Sequence, residues 1–215
     1  MNKDKILIQC DFDGTITEED VSFFILDAFA NGDWRSMLQE YKDDKITVGS
    51  FNRQAFSMVK ESKESLKKLV LEKTRIRPGL PQLLNYYKQQ GFRFVIVSNG
   101  LEFYIKTILD NLGLDGVEVI AATAEFEPQG IIAKYIGPDG KELQNDFKKA
   151  YTSRFVEEGY KVIYIGNGAS DVNSARLAEH AFATDTMLEK CRQDDLKCHP
   201  FSDLNDVVEG LKLLV

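Results

Sequence analysis

Cys10-Asp11-Phe12-Asp13-Gly14-Thr15-Ile16-Thr17 is the stretch whose reading decides the fold. The apolar run Ile6-Leu7-Ile8 leads into it, so two carboxylates spaced two residues apart fall where a buried strand runs out. In an open α/β sheet, ligands bind in the crevice at the carboxyl ends of the strands. Extended backbone sends residues i and i+2 to the same side. Two acids held together beside a glycine and two hydroxyls are costly unless a cation or hydrogen-bond donors share the site. The pattern therefore predicts a metal-dependent reaction centre at the end of the first strand.

The rest of the chain limits what that centre can be. At 215 residues and 24.4 kDa there is enough chain for one substantial core and a small accessory domain. Hydrophobic content of 43% and charged content of 28% are those of a soluble globular protein, and no apolar run is long enough for a signal peptide or a membrane span. A formal net charge of -7 and a pI near 5.0 argue against nucleic acid as a partner. An anionic ligand must then be held by a few local donors. Three cysteines, Cys10, Cys191 and Cys198, form no closely spaced even framework and fit a reducing compartment, which makes the cytoplasm the expected location.

Five strands are expected, at 5–10, 92–97, 117–121, 161–165 and, more weakly, 181–183, with helical periodicity between them. Leu80, Leu83, Leu84 and Tyr87 form one apolar stripe, and Leu101, Ile105, Ile108, Leu109 and Leu112 another. Alternation of this kind predicts a Rossmann-like three-layer α/β core with a parallel sheet. The first connection breaks the rhythm, because a plain crossover needs only about a dozen residues and this one is several times longer. Four helical stripes fill it, beginning at Val21, Trp34, Phe51 and Leu66. Residues 18–74 are accordingly expected to form a small helical cap over the strand ends, inserted into a core domain of 1–17 and 75–215. Glu127-Pro128-Gln129-Gly130 between two apolar runs predicts a short β-hairpin flap.

Four segments at expected strand ends carry the chemistry: Asp11 and Asp13, then Ser98-Asn99-Gly100, then Lys148 or Lys149, then Gly166-Asn167-Gly168-Ala169-Ser170-Asp171. Each alone reads as a turn or a helix cap. Together they supply carboxylates, anion donors and a cation at one sheet edge. A carboxylate can attack phosphorus covalently, and Asp11 is placed to do so. Asp13 suits the role of the acid that protonates the departing alkoxide and the base that later deprotonates water. Mg²⁺ takes oxygen ligands, and Asp11, the backbone carbonyl of Asp13, the Asn167 side chain and waters oriented by Asp171 form a plausible set. Ser98, with neighbouring backbone N–H groups, would hold phosphoryl oxygens at a helix start, and the lysine would neutralise developing charge.

Asp-Phe-Asp-Gly-Thr at 11–15, Ser98, a lysine upstream of the fourth strand and Gly-Asn-Gly-x-x-Asp at 166–171 resemble the four motifs of the haloacid dehalogenase superfamily. The likeness is to its phosphoserine-phosphatase-like branch, which has a helical cap after the first motif. A narrower likeness, to the methionine-salvage phosphatases, is carried by Ile16-Thr17 through Asp20, Arg77-Pro78-Gly79, 97–103 and 182–192 with Pro200. The resemblance implies a Mg²⁺-dependent phosphatase acting on a small phosphorylated metabolite, as a monomer or homodimer, with phosphoserine as an alternative substrate and a phosphate-binding relative as an alternative class. It further implies that Asp20 and a cap arginine, Arg53 rather than Arg35, engage the substrate beyond its phosphate, with Asn99 and Gly100 also at the substrate. The spacing to Gly166 is similar to the methionine-salvage pattern, a likeness that favours Lys148 over Lys149. One departure stands out: the superfamily usually has an acidic residue where this chain has Asn167, so metal affinity is expected to fall.

Overall fold

The computed structural model describes residues 5–214. In chain order the first elements are β1 (Ile6–Cys10), α1 (Val21–Phe29), α2 (Trp34–Lys42), α3 (Val48–Ser57), α4 (Lys63–Lys73), α5 (Leu80–Gln90), β2 (Arg93–Leu101) and α6 (Glu102–Asn111). There follow β3 (Glu118–Glu127), β4 (Gly130–Lys134), α7 (Phe147–Glu157), β5 (Lys161–Gly166), α8 (Val172–Ala175), β6 (His180–Ala183), α9 (Asp185–Gln193), β7 (His199–Pro200) and α10 (Leu204–Leu214). The chain divides into two compact units, one built from the residues up to Glu19, Arg75–Val97 and the residues from Lys148 on, the other from Asp20–Thr74 and Ser98–Phe147.

The first unit holds a parallel sheet in the order β2-β1-β5-β6-β7, flanked by helices. Central β1 pairs in register with both neighbours, Cys10 facing Ile96 on one side and Ile165 on the other. A strand covered on both faces reads as continuous apolar sequence, and Leu7, Ile8 and Cys10 are fully buried. Each such leucine or isoleucine contributes roughly 1.5–3 kcal/mol. Gln9 interrupts the apolar run and is equally buried, which calls for partners; they lie on the helix that follows the hairpin. Helices α5 and α10 pack on each other, and α9 lies against a core of Tyr164, Val172, Ala175, Ala181, Ala183 and Met187. Among the described residues no helix is long and apolar enough to cross a membrane.

The second unit contains α1 to α4, the last residues of β2, and α6, β3 and β4. Each of its first four helices starts at a short polar residue, Asp20, Asp33, Thr47 or Ser62, whose side chain accepts from a backbone N–H in the first turn. Such a cap is worth about 1 kcal/mol. Helix α1 packs on α4, α4 on α6, and α3 on β4. The expected hairpin is present, with Glu127 facing Gly130 across Pro128-Gln129.

Several expectations need correction. The strand expected at 117–121 and the first arm of the hairpin are one continuous element, β3, because nothing between them breaks an extended chain. Ser98-Asn99-Gly100 is the last part of β2 rather than a turn into a helix, and α6 begins only at Glu102 with no side-chain cap. Cys191 and Cys198, read above as forming no disulfide framework, are joined in a disulfide that ties α9 to the segment entering β7; Cys10 is the free, buried cysteine. Sequence spacing does not show that fold-back, since it depends on where β7 docks. The outermost residues of the expected core domain, 1–4 and 215, lie outside the described residues.

Candidate active site

The site in the first unit begins where β1 stops. The Asp11 N–H still donates to Ile165 O at 2.9 Å, so the carboxylate is fixed by the sheet ladder. Phe12 O then accepts from the N–H groups of Thr15, Ile16 and Thr17, closing a tight turn over 12–17. Gly14 takes a left-handed conformation in it, with φ of +71°, and a Cβ there would run into the Asn167 amide. That close approach lets the Thr15 hydroxyl donate to Asn167 Oδ1 at 3.0 Å.

Asp11 is only 4% exposed and Lys148 only 3%. Asp11 Oδ1 accepts from the Phe12 N–H at 2.7 Å, and its Oδ2 pairs with Lys148 Nζ at 2.7 Å. Lys148 Nζ also reaches Asp171 Oδ1 at 2.7 Å. Lys148 stands in the first turn of α7, and Gln9 holds it there: Gln9 Nε2 donates to Lys148 O at 3.2 Å, while Thr152 Oγ1 bonds both Lys148 O and Gln9 Oε1 at 2.9 Å. Lys149 is half-buried and takes no part in these contacts.

Asp171, expected among the metal-site groups, accepts from four protein donors. Its Oδ1 accepts from Lys148 and, at 2.6 Å, from the Tyr164 hydroxyl; its Oδ2 accepts from the N–H groups of Asn167 at 3.1 Å and Gly168 at 2.8 Å. An ionised carboxylate has about four lone-pair sites, and all are taken here. Gly166 permits this fold-back, because a Cβ on it would meet the Asp171 carboxylate.

Two carboxylates and one ammonium thus share a buried space with negative charge in excess. Burial pushes the Asp11 carboxyl up, Lys148 counters it, Asp171 adds to it, and the result is a pKa raised to about 7. Burial opposes the charge on Lys148, yet Asp11 and Asp171 together hold it above its ordinary value. The Tyr164 phenol is pushed well up by burial and by Asp171, so it stays a donor.

The remaining expected residues, Asp13 apart, lie in the second unit. Ser98 is buried and its Oγ accepts from the Gly100 N–H at 3.0 Å. Asn99 O accepts from Asn52 Nδ2 at 2.9 Å and from the Tyr135 hydroxyl at 2.7 Å, while Asn52 Nδ2 also donates to that hydroxyl at 2.8 Å. Asp20 caps α1 through Ser22. Arg53 donates to Leu143 O at 2.5 Å, lies 3.6 Å from Glu142 and stacks over the Tyr135 ring. Arg35 pairs with Asp27 on the surface. Asp13 is half-buried in the 12–17 turn of the first unit.

Sequence reasoning missed Gln9, Thr152 and Tyr164. A glutamine inside an apolar strand and a tyrosine hydroxyl inside Lys161–Gly166 were the available signals, since each needs a buried partner.

Mg²⁺ is compatible with the donor set. Asp11 offers a carboxylate, Asp13 a backbone carbonyl and Asn167 an amide oxygen held against the turn by Gly14, all of them hard oxygen donors. Among the described residues no group of three His, Cys, Asp or Glu side chains could hold a metal.

A parallel α/β sheet whose central strand delivers a buried aspartate, met by a lysine from one helix and a second aspartate from a neighbouring strand end, defines a hydrolase of the Rossmann-like, aspartate-centred class. The chain belongs to the haloacid dehalogenase-like hydrolase family, which matches it over residues 8–176. It is 28% identical to the 2-hydroxy-3-keto-5-methylthiopentenyl-1-phosphate phosphatase of Geobacillus thermodenitrificans, over 99% of this chain and 98% of that protein. Identity to the phosphatase of the same name from Geobacillus kaustophilus is also 28%, over 97% and 96%. Among solved structures, a substrate-bound phosphoserine phosphatase superposes with a TM-score of 0.74 at 18% identity, covering 97% of this chain and 99% of that one. A phospho-aspartyl intermediate analogue of phosphoserine phosphatase gives 0.73 at 19%, covering 96% and 99%. At such identities the superpositions show a common fold.

Proposed function

We propose that the chain is a Mg²⁺-dependent phosphatase that hydrolyses a small phosphate monoester through an aspartyl-phosphate on Asp11, with 2-hydroxy-3-keto-5-methylthiopentenyl-1-phosphate as the substrate. The observation that carries the reaction class is the buried Asp11–Lys148 pair at 2.7 Å, backed by the second carboxylate of Asp171. The substrate rests on full-length similarity to phosphatases of that name.

In this reading an Asp11 oxygen attacks phosphorus, the bond to the leaving oxygen breaks, and Asp13 gives that oxygen its proton. Asp13, now a carboxylate, takes a proton from water, which attacks the phosphoaspartate, releases inorganic phosphate and restores Asp11. Lys148 stays charged throughout and stabilises the phosphoryl oxygens, while Asp171 and Gln9 keep it in place. Bound Mg²⁺ would be held by Asp11, the Asp13 carbonyl and Asn167, and supplies Lewis-acid neutralisation of phosphoryl charge. Ser98, Asn99 and Gly100 bind the phosphoryl group. Residues 18–74 serve as a cap on a core of 1–17 and 75–215, with Asp20 and Arg53 selecting the rest of the substrate.

Phosphate release from that compound and from phosphoserine, measured side by side with Mg²⁺, tests the substrate. An acid-labile phosphoenzyme that is absent in Asp11→Asn tests the intermediate. Release from neither compound, with no trapped phosphoenzyme, refutes the reading.

A further inference from the structure

Arg77-Pro78-Gly79 follows the long first connection and has no part in the reaction as described so far. Its arginine is half-buried and makes a notable set of bonds. Arg77 Nη2 donates to Gly14 O at 2.7 Å, Nε to Thr15 O at 2.9 Å, and the Arg77 backbone N–H to Ile16 O at 2.8 Å. One residue therefore takes the carbonyls of three consecutive residues in the turn that contains Asp13. The remaining arm, Nη1, donates to Ser202 O at 2.8 Å, and the guanidinium stacks over Phe201, so the clamp is itself anchored.

Within the turn these bonds complete a division of labour. The N–H groups of Thr15, Ile16 and Thr17 converge inward on Phe12 O, and the Gly14 N–H bonds Thr17 Oγ1 at 3.1 Å. The carbonyls of Gly14, Thr15 and Ile16 point the other way, to Arg77. The backbone on the N-terminal side of Asp13 is thus fixed by the turn, and on the C-terminal side by Arg77. A guanidinium fork can do this because its donors are coplanar and rigidly spaced; an ammonium is a point donor and cannot span adjacent carbonyls in the same way.

We propose that Arg77 is the positioning residue for Asp13 in its acid/base role, acting through the carbonyls of the 12–17 turn. This rests on the reading of Asp13 as the group that protonates the leaving oxygen. Loosening the turn displaces Asp13 relative to the leaving atom, and a displacement on the order of 1 Å costs about a hundredfold in rate. The loss falls unevenly. A good leaving group departs with little help from an acid, whereas a poor one depends on it.

The experiment is a series of aryl phosphates of rising leaving-group pKa, assayed with the Mg²⁺-loaded protein and its Arg77→Lys and Asp13→Asn variants, with thermal unfolding followed alongside. Arg77→Lys should lower kcat/KM for p-nitrophenyl phosphate by less than about tenfold and for phenyl phosphate by about a hundredfold, so that rate depends more steeply on the leaving group. Asp13→Asn should steepen the dependence in the same sense. A uniform loss in Arg77→Lys beside a steepened dependence in Asp13→Asn makes Arg77 a structural tie only and overturns the proposal. An unchanged dependence in Asp13→Asn overturns the acid role and the proposal together. Should Arg77→Lys fail to fold, Arg77→Gln, which keeps a planar donor on a shorter stem, is read by the same comparison.

Discussion

Replacing Asp11 by asparagine changes one buried charge and almost no volume, so its effect on stability isolates the electrostatics of the centre. In the folded protein without metal, the carboxyl has its pKa raised to about 7 from an ordinary value of 3.8. A group raised in this way holds its proton more tightly folded than unfolded. Its stabilising contribution is complete below the unfolded pKa and is lost as pH climbs through the folded one. Three pH units at about 1.4 kcal/mol each give a loss of about 4 kcal/mol, an order-of-magnitude figure. Asp11→Asn has no such group. Its single amide oxygen can serve Lys148 or the Phe12 N–H but not both, a penalty of roughly 1–3 kcal/mol that does not depend on pH. The difference in unfolding free energy, variant minus wild type, should therefore rise by about 4 kcal/mol between about pH 4 and about pH 8. Urea unfolding of both proteins in a chelating buffer measures it, and contributions from titrating groups that do not sense Asp11 cancel in the difference. A flat difference, or one that falls with pH, would show that Lys148 balances or outweighs burial and that Asp11 is not destabilised as a carboxylate.

Three further outcomes are expected. Asn167→Asp keeps an acceptor for Thr15 and adds a charge, so the Mg²⁺ concentration for half-maximal rate should fall at least about tenfold, the scale on which outer-shell partners alone act; an unchanged titration would remove residue 167 from the metal. Arg53→Ala should reduce turnover of the natural substrate about tenfold more than turnover of a small aryl phosphate, and equal losses would leave Arg53 with only its ties to Leu143 and Tyr135. Alkylation of the unreduced, denatured protein followed by mass measurement should label Cys10 alone, because Cys191 and Cys198 are paired; three labels would refute that pairing.

The parts of the fold that sequence made legible are those governed by local periodicity. The four helices from Val21 to Lys73 stand where their apolar stripes lie, and β1 ends at Cys10 as the acidic pair implies. One misreading has its cause in tertiary hydrogen bonds. Ser98-Asn99-Gly100 has the composition of a turn, yet it stays extended while Asn52 and Tyr135, far away in sequence, satisfy Asn99 O. In the candidate site the acids and Lys148 could be named from motif spacing. Gln9, Thr152 and Tyr164 could not, because their work is done on groups brought close only by folding.

The four donors on Asp171 also bear on which changes this loop can survive. An asparagine there would offer a single acceptor atom to Lys148, Tyr164 and two backbone N–H groups, and its own NH₂ would face donors that cannot turn away. The side chain at 167 lies against Gly14 and accepts from the rotatable hydroxyl of Thr15, a bond that an amide and a carboxylate accept alike. Over the history of the chain, charge could come and go at 167 without disturbing the fold, while 171 is locked. A library randomised at both positions and selected only for folded protein should return either residue at the first and aspartate at the second.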